Sequence, residues 1–181
     1  KLHYLSNFDS LTGLPNRILL RDRVQQLCEQ VAGGGTQVLG YLLLKTARLR
    51  VIGESLGPGV EQEILRQVAA RLGQFSNADT SVARVGDRAF AVAAVRATTN
   101  ELSALARQLL DVMGAPFHHE QQELHVDPCV GIAVFPNDGD DYDSLVQGAE
   151  AALGRAMASK AEEALSALRR GTVLTDEHAL A

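Results

Sequence analysis

Residues Ser81 to Val95 read SVARVGDRAFAVAAV, two runs of short apolar residues flanking Gly86-Asp87-Arg88-Ala89. The pattern predicts a β-hairpin with strands near 81–85 and 90–95 and a tight Gly-Asp turn. A turn held by two strands projects its side chains from a rigid base, a common setting for chemistry. This turn offers one carboxylate, one guanidinium and one methyl group.

The rest of the chain organises around that hairpin. Lys1 to Phe8 reads as the end of an incoming helix, broken by Asp9 to Gly13. Pro15 suits the first turn of a new helix reaching about Val31, with Ile18, Leu19, Val24, Leu27, Cys28 and Val31 as its apolar stripe. Gly33-Gly34-Gly35 ends it. Val38 to Leu44 is almost continuously apolar and fits a central strand covered on both faces. Val60, Ile64, Leu65, Val68 and Leu72 mark a helix, as do Leu102, Leu105, Leu109, Val112 and Met113. His125 to Phe135 reads as the last central strand, and Leu145 to Ala156 as a further helix that the segment from Ala161 to Leu168 extends. From Val38 to Phe135 the order is β-α-β-β-α-β, the split βαβ of a ferredoxin-like α/β (α+β) fold. In that topology the third strand lies antiparallel between the first and second. Lys45, ending the first strand, is thereby placed beside Asp87 to Phe90, and an ion pair between Lys45 and Asp87 is expected.

Composition narrows the function classes. The chain has 181 residues, enough for one domain with a buried core. Apolar residues make up 46% and aromatics only 4%, so Ala, Val, Leu and Ile must build that core. A net charge of −5 argues against a broad grip on nucleic acid. Cys28 and Cys129 sit in apolar contexts and read as buried, reduced thiols of a cytoplasmic protein. No apolar run is long enough to span a membrane, and no secretory leader is visible. Lys1 stands where a Met would begin a complete chain, so a piece of a longer protein is expected.

Seven stretches, the hairpin among them, resemble the GGDEF family, the diguanylate cyclases that make cyclic di-GMP. Asp9-Ser10-Leu11-Thr12-Gly13-Leu14-Pro15-Asn16-Arg17 is close to the family's D-x-L-T-G-L-P-N-R entry motif. Glu54-Ser55-Leu56-Gly57 resembles N-D-S-L-G. Ala115-Pro116-Phe117, Glu123-Leu124-His125-Val126 and Val130 through Gly139 resemble the P-F…E-L-x-V…I-G-I-A-x-F-P-x-D-G run, and Ala151 to Ala156 resembles A-A-L-Y-x-A-K. In the hairpin, Arg84-Val85-Gly86 and Phe90 match Arg-x-Gly-Gly-Asp/Glu-Glu-Phe, whereas Asp87, Arg88 and Ala89 replace Gly, Asp/Glu and Glu. The resemblance covers nearly the whole chain and implies the family's nucleotidyl-cyclase-like palm, a mainly antiparallel central sheet with flanking helices. The wording is that of composite GGDEF–EAL proteins, and the Gly-Asp-x-x-Phe hairpin is similar to the degenerate domain of FimX-type proteins.

The resemblance also implies where the chemistry has gone. Joining two GTP molecules requires positioning and metal neutralisation of phosphate charge, and magnesium takes hard oxygen ligands. The family's metal-binding acids correspond here to Lys45, Arg88 and Ala89. An ammonium ~4 Å from a divalent ion costs roughly 8 kcal/mol at an effective dielectric of about 20. The guanine-reading Asn and Asp correspond to Gly53 and Gln62, and phosphate-facing Lys and Arg to Met157 and Ala161. The inhibitory-site Arg is missing from Asn77-Ala78-Asp79-Thr80. Asp87 is the surviving acid.

Other polar groups have plainer readings. Asp9 to Arg17 reads as a structural turn and cap docking the first helix. His118, His119 and His125 lack a fixed metal-ligand spacing and read as solvated. Asp138, Asp140, Asp141 and Asp143 lack the bidentate Glu of an EF-hand and read as an acidic turn leading a helix. Arg84 reads as a strand residue paired to a neighbouring acid. For Arg88 a nucleotide-phosphate partner and a plain structural residue are both open readings.

The expectation is a catalytically inactive GGDEF domain, regulatory or structural in bacterial cyclic di-GMP signalling, with no catalytic residues, no cofactor, and magnesium and GTP binding lost or weak. Residues 1–8 would end an incoming signalling helix, 9–160 form the domain, and 161–181 lead towards a downstream domain. Its partners would be sensor and EAL domains of the same chain, a protein partner or a second copy, with no nucleic acid and no membrane. Two alternatives are a module that holds GTP without metal, using Lys45 and Arg88 to control an adjacent EAL phosphodiesterase, and a weak cyclase relying on Asp87.

Overall fold

The structure, a computed structural model, describes residues 6–169. The elements run α1 (Arg17–Ala32), β1 (Val38–Thr46), α2 (Leu49–Leu56), α3 (Pro58–Gly73), β2 (Thr80–Gly86), β3 (Ala89–Arg96), α4 (Thr99–Gly114), β4 (Phe117–His119), β5 (Gln122–Leu124), β6 (Pro128–Phe135) and α5 (Tyr142–Arg169). The four-stranded sheet has the order β2-β3-β1-β6, with antiparallel neighbours throughout. This is the anticipated mixed α+β fold, with β3 between β2 and β1.

The apolar runs in β1 and β3 have a simple cause. Side chains alternate across a strand, and both faces of this sheet are covered. Leu42, Leu44, Phe90, Val92 and Ala94 join a core with α2, α3 and α4. Leu39, Tyr41, Leu43, Ala91, Ala93 and Val95 join a second core with α1 and α5. Ala83, Ala91, Ala93 and Ala133 of the sheet belong to this second core, and α5 comes close. A Cβ on Gly131 would lie 2.2 Å from the Ala149 carbonyl oxygen and 2.4 Å from the Leu153 nitrogen.

Caps set the helix boundaries. Asn16 accepts from the Leu19 N–H and starts α1, so Pro15 precedes the helix rather than opening it. Thr98 and Glu101 form a capping box on α4. Asp141 Oδ1 accepts from the Ser144 N–H and caps the start of α5, while Asp138 Oδ2 accepts from the Val134 N–H of β6 and closes the turn after that strand.

The sequence reading differs from the fold in several places. Ile18 is 62% exposed, and Leu20, not Ile18, lies in the buried stripe of α1. Helix α2 was not anticipated; only Leu49 and Ile52 of it are buried, too few to form a visible stripe. The last central strand starts at Pro128 instead of His125, because Asp127 adopts φ 53°, a left-handed conformation that ends regular extension. The preceding residues form a small hairpin, β4–β5. In the main hairpin Asp87 and Arg88 form the turn, and neither they nor Gly86 has positive φ. The tight turn is thus the two-residue Asp87-Arg88 link between paired Gly86 and Ala89, one step later than a Gly-Asp turn, and the register shifts between Arg84 and Gly86. Residues Ser6 and Asn7 are helical and Phe8 bridges to Pro15, while 1–5 and 170–181 of the proposed flanking segments fall outside the described residues.

Candidate functional site

The hairpin is anchored at its base by Arg84. Its backbone N–H donates to the Pro15 carbonyl. Its Nη1 donates to both carboxylate oxygens of Asp9 at 3.1 and 3.2 Å, and its Nη2 donates to the Asp87 carbonyl at 2.8 Å. Asp9 also accepts from the N–H and hydroxyl of Thr12. Burial acts to raise the Asp9 pKa, but the Thr12 bonds and the Arg84 charge outweigh it and hold the carboxyl below its ordinary value. Gly13, at φ 76°, lets the loop turn back so that its N–H reaches the Asp9 carbonyl. The entry motif is thus a structural turn, and Arg84 has the acid partner read from the sequence.

The turn is anchored at its tip by Arg88. Its Nε lies 2.9 Å from Glu61 Oε2, and its Nη2 donates to Glu61 Oε1 at 3.2 Å. Glu61 comes from the first turn of α3. Its carboxylate leans over Gly53 of α2, so closely that a Cβ there would lie 2.0 Å from Glu61 Oε1. A cavity of about 630 Å³ opens between the entry loop, α3 and the turn, lined by Ser10, Pro58, Gln62, Arg84 and Asp87 besides this pair.

The structure gathers Asp87, Arg88, Gln62 and, beneath Glu61, Gly53 around one cleft. Lys45 is exposed at the end of β1, where it pairs in register with Ala89 on one side and Cys129 on the other, with Phe90 one step along the ladder. The anticipated Lys45–Asp87 ion pair is absent among the described residues; Asp87 lies in the turn, past the end of the ladder that brings Lys45 to Ala89. The charge that finds a partner is Arg88. Met157 faces elsewhere: it packs partly against the second core and lines a separate hollow with Asp127, Cys129, Lys160 and Ala161. Glu61 was missed from the sequence, where it reads as an ordinary helix-start acid. The sequence carries no signal that links it to Gly53, because α2, with only Leu49 and Ile52 buried, leaves no visible stripe.

His119 is half-buried against an acid, and His118 is exposed. His119 Nδ1 contacts Glu63, and the His118 carbonyl accepts from Gln67. No group of three or more His, Cys, Asp or Glu with metal-binding proximity occurs among the described residues. Cys28 and Cys129 are free and buried. No described helix is long and apolar enough to cross a membrane.

This fold and hairpin match a known family. Residues 6–163 match the family described as diguanylate cyclase, GGDEF domain, and the chain belongs to it. Among curated relatives, the protein y4lL of Sinorhizobium fredii is 31% identical over 86% of this chain and 19% of its own length. MucR of Pseudomonas aeruginosa, a bifunctional diguanylate cyclase/cyclic di-GMP phosphodiesterase, is 27% identical over 84% of this chain and 22% of its own. The crystal structure of a sensory box/GGDEF family protein from Caulobacter crescentus superposes with a TM-score of 0.81 at 27% identity, covering 84% of this chain and 99% of that one. The chain spans about a fifth of the length of the curated relatives it matches.

Proposed function

We propose that this GGDEF domain does not make cyclic di-GMP and serves a regulatory or structural role within a larger cyclic di-GMP signalling protein. The observation that carries the reading is the Arg88–Glu61 ion pair set over Gly53. By resemblance, residue 88 should bring a carboxylate to a metal and residue 53 an amide to guanine. Here 88 brings a guanidinium, and the space above 53 is filled by the protein's own Glu61. Lys45 and Ala89, register partners across β1 and β3, add an ammonium and a methyl group where the family places further acids. Hard divalent cations take oxygen donors, so this donor set does not fit magnesium.

Residues 9–160 would form the domain, with 1–8 and 161–181 as connections to neighbours such as sensor or EAL phosphodiesterase domains. The length of the relatives and the bifunctional activity named for MucR support such a composite parent. The alternative of metal-free GTP binding through Lys45 and Arg88 meets a carboxylate already seated on Arg88.

The test is product formation. The 181-residue chain incubated with GTP and either magnesium or manganese should give no cyclic di-GMP by chromatography. Turnover proportional to protein concentration overturns the reading, and its loss in Asp87→Ala would transfer the assignment to a weak cyclase.

A further inference from the structure

Glu61 and Arg88 are joined by two close approaches, and the Glu61 side chain is 16% exposed while that of Arg88 is 37% exposed. One of these is a hydrogen bond, from Nη2 to Oε1, and the buried Nε is left without a hydrogen-bond partner; an arginine offers the same donors to a phosphate as to a carboxylate. The other guanidinium lining the cavity, Arg84, is committed to Asp9 and to the Asp87 carbonyl, both part of the framework that shapes the turn. Arg88 is held by the end of a flexible side chain. That side chain can lie where it does because residue 53 has no Cβ: an added methyl group would sit 2.0 Å from Oε1, 3.0 Å from Cδ and 3.2 Å from Cβ of Glu61.

We propose that Glu61 is a tethered anion that occupies Arg88 and keeps phosphate-bearing ligands out of the cavity. The contact is autoinhibitory, and Gly53 is the hole that permits it. The inference deepens the reading above and rests on it. A short tether gives Glu61 a high effective concentration at Arg88. A free anion therefore binds only in the fraction of molecules whose latch is open, and its apparent affinity falls by that fraction. Glu61 is the occupant of Arg88; freed, Arg88 would take a polyphosphate.

The experiment is calorimetry on the 181-residue chain in EDTA at low salt, with sodium triphosphate and with GTP as separate probes. The wild type should show no binding below millimolar concentrations. Glu61→Ala should bind triphosphate at least tenfold more tightly. Gly53→Ala should do the same with Glu61 still present, because the new methyl group displaces the carboxylate, and alanine suits the α2 helix better than glycine. Adding Arg88→Ala to Glu61→Ala should remove the gain. If Glu61→Ala fails to fold by thermal melting, Gly53→Ala and Glu61→Gln carry the test. Equal affinity in wild type and unlatched variants overturns the proposal. So does a gain that survives loss of Arg88, or one seen with GTP and not with triphosphate. Failure here leaves the absence of product formation untouched, whereas cyclic di-GMP synthesis by the wild type would sink the parent reading whatever the binding data.

Discussion

Arg84 of β2 and Asp9 of the entry loop, 75 residues apart, form an ion pair whose side chains are only 15% and 19% exposed. It ties the segment entering the domain to the hairpin that forms one wall of the cleft. Removing one partner strands the other charge in a partly buried place, a costly outcome even where the intact pair contributes little net stability. Asp9→Asn and Arg84→Ala should each destabilise the domain by about 2–4 kcal/mol in urea titrations, and the double variant by much less than the sum. Additive losses would show that the two groups are not coupled.

The same pair sets an acid limb. Asp9 has its carboxyl pKa depressed in the folded chain, so it contributes stability in full above the ordinary carboxylate value and loses it as pH falls through the folded value. Melting temperature should therefore drop on acidification below about pH 4 more steeply in the wild type than in Asp9→Asn. Identical acid limbs would assign the loss to other carboxylates.

Two glycines separate backbone crowding from side-chain crowding. A methyl group at Gly131 meets the backbone of α5, which cannot move without shifting the helix off the sheet. At Gly40 it meets only the side-chain tip of Leu102, at 2.7 Å. Gly131→Ala should cost about 3 kcal/mol and Gly40→Ala about 1 kcal/mol by denaturant unfolding. Equal costs would mean that α5 yields as easily as a leucine rotamer.

Burial pushes the Cys28 thiol up to about 11, with Asp141 and Glu29 adding to the effect, and burial also raises Cys129. Thiolate is the reactive form, so both should resist a disulfide reagent at pH 7.5 in the folded chain and react fully in denaturant. Rapid labelling of either thiol in the native protein would contradict the packing around α1 and β6.

Lys45 and Ala89 face each other across the β1–β3 ladder. Lys45→Asp with Ala89→Glu places two carboxylates at that point and removes the ammonium. Manganese should then raise the melting temperature of the double variant by a few degrees and leave the wild type unchanged. An equal response in both would show that charge at this edge does not govern ion binding.

How much of this was legible in the residues differs by level. The central strands were readable because covered strands need unbroken apolar sequence, and strand order followed from β-α-β-β-α-β connectivity. Helix α2 was not, because two buried residues make no stripe. Nor was the start of β6, where Asp127 takes a left-handed conformation that Asp and Asn visit only occasionally. At the cleft, the presence of Lys, Arg and Ala instead of acids at 45, 88 and 89 could be read directly. The counter-ion of Arg88 could not: Lys45 and Asp87 are near in the topology, but the ladder aligns Lys45 with Ala89. Glu61 becomes a partner only through the packing of α2 against α3 over Gly53.

That packing makes three positions interdependent. A side chain added at position 53 meets the Glu61 carboxylate, and truncation of Glu61 leaves the Arg88 guanidinium without its counter-ion. A substitution at 53, 61 or 88 is therefore felt at the other two, and its effect has to be read against whichever residues stand there.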